Sequence, residues 1–202
     1  MINADDFAIP ITCDLSAVKV RIIDQITNLV TKEAIVNMPV TNGMLHIDTS
    51  GDLLKVAVIE RTYKPGETFV GFIRGFKLKY GAVASSGAWD MSGIVVVGAD
   101  ESDMAQAVNR IKQLSGGLVV CAGGEILAET PMPIGGLISL KAMETLVQEL
   151  NGVQHAAANL GFPYPDIRLT LNVLTSPAIA YLRISEDGLF DIRQNCFVDL
   201  VI

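Results

Sequence analysis

Ile94-Val95-Val96-Val97-Gly98-Ala99-Asp100 runs straight into Met104, Ala107, Val108, Ile111 and Leu114, and then into Gly116-Gly117-Leu118-Val119-Val120-Cys121-Ala122-Gly123-Gly124-Glu125-Ile126-Leu127-Ala128. The β-branched run predicts a buried strand, and the apolar positions after it fall at helical spacing, so a helix over about 101–115 follows the strand. Asp100 is placed to cap that helix, Glu101 and Asp103 suit the positive end of its dipole, and Gly116 closes it. Gly123-Gly124 between two apolar runs then predicts a hairpin. Strand, helix and hairpin in immediate succession favour an α+β fold over a doubly wound sheet, in which strands and helices would alternate.

Toward the N-terminus the pattern is one of strands. Residues 18–24 alternate, Asn42-Gly43 is a hairpin signal because both residues tolerate positive φ, and residues 53–60 are apolar enough for a central strand. Lys64-Pro65-Gly66-Glu67 forces a turn, and residues 69–76 return as the next strand. A composition shift at 48–52 sets off residues 1–50 as a small N-terminal β segment and 51–202 as the α+β body, with one continuous domain as the alternative. Toward the C-terminus, Pro131-Met132-Pro133-Ile134-Gly135-Gly136-Leu137 predicts a shaped loop, since its prolines lack amide donors. Leu140, Met143, Leu146, Val147, Leu150, Val153, Ala157 and Leu160 form one apolar stripe on a second helix, over about 140–160, that Ser139 can cap and Gly161 can end. Residues 167–174 alternate and predict a strand; Asp187-Gly188 predicts a hairpin turn before a terminal strand over 197–202. About ten strands and two long helices imply mixed, largely antiparallel β-sheets.

Half of the 202 residues are hydrophobic and 18% are charged, with a mean hydropathy of +0.42. That excludes a disordered chain and predicts sheets buried on both faces, or an interface with a second copy or a partner. The net charge of −7 without a basic run argues against nucleic-acid binding. No apolar stretch approaches the ~20 residues of a membrane helix, and the acidic start lacks the features of a signal peptide. Cys13, Cys121 and Cys196, odd in number and widely spaced, imply a reducing, cytoplasmic setting. None of the three has an electropositive sequence context that would activate it.

Chemistry-bearing motifs are few. His46 and His155 are the only histidines, too few for a metal site of the usual histidine-rich kind, and His155 falls off the apolar stripe as a solvated residue. Ser85 and Ser86 lack a neighbouring base and read as hydroxyls bonded to nearby backbone. Phosphate-loop and dinucleotide fingerprints do not occur. What remains is Glu60-Arg61, then Gly71-Phe72-Ile73-Arg74-Gly75-Phe76-Lys77-Leu78-Lys79-Tyr80-Gly81, then residues 82–93.

Lys55-Val56-Ala57-Val58-Ile59-Glu60-Arg61, the run 71–81, Ala82-Val83-Ala84-Ser85-Ser86, Ile94-Val95-Val96-Val97-Gly98, Asp103-Met104, Ala107-Val108-Asn109, Gly116-Gly117, the run 131–137 and Asp187-Gly188-Leu189-Phe190-Asp191-Ile192 together resemble, in order, the C-terminal domain of bacterial and archaeal adenine deaminases. The resemblance covers nearly the whole chain, from Asp6-Phe7 onward. It implies an enzyme that hydrolyses adenine to hypoxanthine and ammonia on an amidohydrolase barrel preceding this region. There a divalent metal, held by histidines and acids, makes the hydroxide that attacks C6.

None of those ligands lies in these 202 residues, so no metal or other cofactor is expected in this chain, its catalytic residues are unknown, and alone it is expected to be inactive. Where the family reads Ala-His-Asp-Ser-His-Asn this chain has Ala88-Trp89-Asp90-Met91-Ser92-Gly93, and where it reads Glu-Arg-His this chain has Glu60-Arg61-Thr62. Three imidazoles are thus replaced, by Trp89, Ser92 and Thr62, while Glu60, Arg61 and Asp90 keep their charges. Glu60, Arg61, Trp89 and Asp90 are the candidate pocket-facing residues, Trp89 as a flat face for a planar ring, with a salt bridge between strands as the plainer reading of the charged three. The resemblance implies a homo-oligomer or an amidohydrolase barrel as partner. The alternative is a free-standing, non-catalytic relative that binds a purine-like small molecule or a partner protein.

Overall fold

In the computed structural model the described residues are 1–12, 15–88, 90, 93–179 and 181–202. A short 3-10 turn, Ala4–Phe7, precedes thirteen strands and three α-helices. The strands are β1 (Ile9–Pro10), β2 (Ala17–Gln25), β3 (Thr31–Pro39), β4 (Met44–Leu45), β5 (Leu53–Ile59), β6 (Thr68–Arg74), β7 (Ala82–Ser85) and β8 (Ile94–Gly98). They continue after helix α1 (Glu101–Leu114) with β9 (Gly117–Ala122) and β10 (Glu125–Pro131). Helices α2 (Met143–Leu160) and α3 (Ile167–Leu174) precede β11 (Leu182–Ser185), β12 (Gly188–Asp191) and β13 (Cys196–Val198).

Eight strands form one sheet in the order β10-β9-β7-β8-β5-β6-β2-β3. Its pairings are antiparallel except β2 with β6. The α+β reading with largely antiparallel sheets therefore holds. Strands β2 and β3 belong to this same sheet, and β1-β4 and β11-β12-β13 form two smaller ones.

Strand periodicity explains how one sheet supports two cores. Val56 and Val58 of β5, with Val95 and Val97 of β8, face α2, α3 and the three-stranded sheet. Ala57, Ile59, Ile94 and Val96 point the other way, onto Met104, Ala107, Val108 and Ile111 of α1. Much of the apolar surplus is consumed here, in central strands buried on both faces. On α1 the cap is as expected: the Asp100 side chain accepts the Asp103 N–H at 2.9 Å. Ser115 takes the left-handed C-cap position and Gly116 N–H returns to the Ile111 carbonyl. The Arg110 guanidinium clamps Glu129 of β10 through both nitrogens, at 2.6 and 2.7 Å.

Arg110 holds the Glu129 carboxyl below the usual carboxylate range. A depressed folded-state pKa contributes stability above the unfolded value, about 4.3 for glutamate, that is lost as pH falls through the folded value. The melting temperature of Glu129→Gln should therefore lie below that of the wild type at neutral pH, by the equivalent of about 1 kcal/mol for a half-exposed bidentate pair. The gap should close as pH falls below the unfolded glutamate value and on through the depressed folded one. A gap that persists unchanged through that range would mean the carboxylate is not the stabilising species.

Two expectations need correction. Residues 167–174 form helix α3, not a strand. Ile167, Leu169, Leu171 and Val173 do alternate, but Ile167, Leu171 and Leu174 also share a helical face. The tie is broken by Asp166, whose side chain accepts the Leu169 N–H at 2.9 Å, and by Gln154 of α2, which accepts the Ile167 N–H at 2.8 Å. The second long helix starts at Met143 rather than at residue 140, with Ala142 in the cap position and no side-chain cap. Ser139 instead accepts the Lys141 N–H. Along the apolar stripe Val153, Ala157 and Leu160 are buried, Leu146 and Leu150 pack partly buried against the same core, and Leu140, Met143 and Val147 are exposed.

Candidate functional site

The register brings three connections to one end of the large sheet. Ile59 pairs with Ile94, Ser85 with both Val95 and Leu118, and Gly117 with Pro131. The 60–67 turn, the 86–93 connection and the loop after Pro131 therefore leave the sheet side by side. Asp90 joins them to a fourth segment by accepting the Ser176 hydroxyl at 2.6 Å, just beyond α3.

Glu60, the first residue past β5, is 3% exposed. Its carboxylate accepts the N–H groups of Thr62 at 2.8 Å and Lys64 at 2.6 Å, while its own N–H and carbonyl bond Glu67 and Gly66. Charge-assisted bonds to two amides replace lost hydration, so a buried carboxylate here is also the brace of the turn. Arg61 points from that turn to the loop beyond β10, donating Nη2–H to the Gly135 carbonyl at 2.7 Å. Its guanidinium lies against Gly136, where a methyl group would sit 2.5 Å from Nη2. Ser86 completes the knot: its hydroxyl donates to the Gly136 carbonyl at 2.9 Å and accepts the Gly117 N–H at 2.8 Å. Ser85 accepts the Gly87 N–H at 3.0 Å. Both serines thus carry the backbone-bonding role their sequence context predicts.

Asp90 lies on a different feature. It is exposed and rims a cavity of about 200 Å³ whose wall includes Arg183, Phe190 and Phe197. Burial in this apolar surrounding pushes the Arg183 guanidinium down to about 10. Among the described residues, neither Glu60 nor Arg61 lines that cavity. Trp89 and Ser92 lie outside the described residues, as does Cys13. The structure thus gathers Glu60, Arg61 and Ser86 around the Gly135-Gly136 loop, and sets Asp90 with the segment after α3. Sequence reasoning missed Arg183 and the bridging role of Ser86, since each depends on segments far apart in the chain.

The donors for metal or nucleophilic chemistry are scattered. Among the described residues no three histidine, cysteine, aspartate or glutamate side chains cluster as metal ligands would. His46 and His155 are exposed on separate elements. Cys121 is buried, and desolvation, reinforced by Asp103, pushes its thiol up to about 12, which leaves it inert near neutral pH. Asp103 is committed to structure, accepting the N–H groups of Gly123 and Gly124. Among the described residues no helix is long and apolar enough to cross a membrane.

The described residues thus form a scaffold whose loop end is knotted by side chains. The profile of the adenine deaminase C-terminal domain matches residues 28–196, and the chain belongs to that family. It is 40% identical over 200 residues to an adenine deaminase of Methanothrix thermoacetophila, covering 98% of this chain and 34% of the relative. It is 38% identical over 194 residues to one of Methylobacterium nodulans, covering 96% and 34%. With one of Brucella abortus it shares 43% identity over 151 residues, 75% of this chain and 26% of the relative. The chain therefore spans about a third of the length of the curated relatives it matches.

Proposed function

We propose that this chain serves as the C-terminal component of an adenine deaminase, packing on a metal-dependent amidohydrolase barrel and completing its pocket or its oligomer without carrying the metal site. The observation that carries this reading is the match over nearly the whole chain to one third of enzymes named adenine deaminase; among the described residues no three side chains cluster as metal ligands would. Within it, Glu60 and Arg61 act by holding the 60–67 turn against the Gly135-Gly136 loop, which gives the loop end of the sheet a fixed shape. Asp90 positions the 86–93 connection against Ser176. Pre-formed loops of this kind shape a neighbouring site at little entropic cost. The setting that goes with this role is cytoplasmic.

The test is a chimaera in which this chain replaces the corresponding third of the Methanothrix thermoacetophila enzyme. Loaded with divalent metal, it is expected to convert adenine to hypoxanthine and ammonia. A folded, metal-loaded chimaera that leaves adenine untouched while the parent enzyme turns it over would overturn the proposal.

A further inference from the structure

A run of large exposed apolar side chains lies in and just after the loop that follows β10. Ile134, Leu137, Ile138, Leu140, Met143 and Val147 are all exposed, Leu140 at 76% and Met143 at 69%. Tyr63, 87% exposed, stands on the adjacent 60–67 turn, which Arg61 ties to this loop at Gly135. Residues 131–140 contain no charged side chain, and the nearest charges are already matched: Glu129 to Arg110 before the loop and Lys141 to Glu149 after it. Leu140, Met143 and Val147 continue the same stripe that Val153, Ala157 and Leu160 bury farther along α2. Leu146 and Leu150 pack partly buried against that core, so the helix lays its stripe on this domain and leaves Leu140, Met143 and Val147 uncovered along one edge. Apart from the exposed Glu144 in the first turn of α2, this is an apolar surface with a methionine and a tyrosine, the composition of an interface core.

We infer that this face, the 131–140 loop with the first two turns of α2 and Tyr63, is the surface on which the barrel-bearing part of an adenine deaminase docks. The occupant follows from length: relatives that align over 96–98% of this chain devote 66% of their own length to something else, which supplies a large body for the face to cover. The inference rests on the functional reading above and adds to it the site of contact. Docking here would set the Arg61–Gly135 knot beside the catalytic body, because the knot and the apolar face share one loop.

Amide hydrogen exchange on the isolated chain and on the chimaera decides it. Residues 134–148 should exchange at least about tenfold more slowly in the chimaera than in the isolated chain, and the double variant Met143→Glu, Val147→Glu should abolish that difference. Both side chains are exposed, so the variant should melt like the wild type as an isolated chain. Equal exchange in both proteins overturns the docking face, even if the chimaera deaminates adenine and the functional reading stands. Protection without deamination keeps the face and removes the functional reading. Sedimentation of the isolated chain supplies the remaining check: a monomer is expected, whereas a dimer that the double variant dissociates would assign the face to a second copy and overturn the inference.

Discussion

Incubated alone with adenine and Zn²⁺ or Mn²⁺, the 202-residue chain is expected to release no ammonia above a protein-free blank. Metal-assisted hydrolysis of an amino-purine depends on lowering the pKa of a bound water to about 7, and that requires three or more ligands converging on one ion. This chain has two histidines, on elements far apart, and no cluster of three donor side chains among its described residues. Its best-organised carboxylates are engaged elsewhere: Glu60 with the amides of its own turn, and Asp103 with the Gly123-Gly124 hairpin. The buried thiol of Cys121 stays protonated. Against the rate enhancements of about a millionfold or more that enzymes reach, the expected activity is indistinguishable from zero. Ammonia release that scales with protein and disappears with chelator would show that the chain assembles a site by itself.

Gly117→Ala is expected to produce a large loss of stability from a single methyl group. Gly117 opens β9 at φ +140, and the added carbon would lie 2.1 Å from the Thr130 carbonyl oxygen and 3.1 Å from Pro131 Cα. Both neighbours are backbone of the paired strand β10, so no side chain can turn aside. The β9–β10 pair would have to open at the point where Ser86 and the 131–137 loop are anchored. The conformational penalty and the overpacking together suggest a cost of about 3–5 kcal/mol, or roughly 10 °C in melting temperature for a domain of this size. Gly152→Ala serves as the opposite control. It lies inside α2 with nothing within 4 Å of an added methyl, and should stabilise the protein by about 0.5–1 kcal/mol. A Gly117→Ala protein melting within a degree or two of the wild type would mean that the strand pair adjusts freely there.

The contrast between α1 and α3 shows what could be read in advance. Helix α1 carries an N-cap, acids in its first turn, a 3.6-residue apolar period and a closing glycine, and every one of these signals acts within a few residues. In 167–174 the alternating and the helical patterns coexist. The deciding contacts include Gln154, thirteen residues away on another helix, and no window of local sequence contains that information. The same limit separates Glu60 from the role its charge suggests. A glutamate beside an arginine reads as a pocket-facing pair, whereas its geometry shows a carboxylate folded back onto its own turn, and the neighbouring Lys64-Pro65-Gly66-Glu67 was the available sign that such a turn needed bracing.

By itself, then, the sequence determined the α+β class, the hairpins at Gly123-Gly124 and Asp187-Gly188 and the boundaries of α1, because turn chemistry, capping and apolar periodicity are short-range physics; Asn42-Gly43 makes a two-residue turn, but β4 beyond it pairs with β1 rather than with β3. Tertiary structure alone decided which positions of the α2 stripe are covered, which loops meet at Gly135-Gly136, and that Ser86 ties β9 to that loop. Periodicity marks a face as apolar but does not say whether this chain has enough sheet beneath it to bury that face. Here the large sheet takes in Val153, Ala157 and Leu160 and leaves Leu140, Met143 and Val147 exposed.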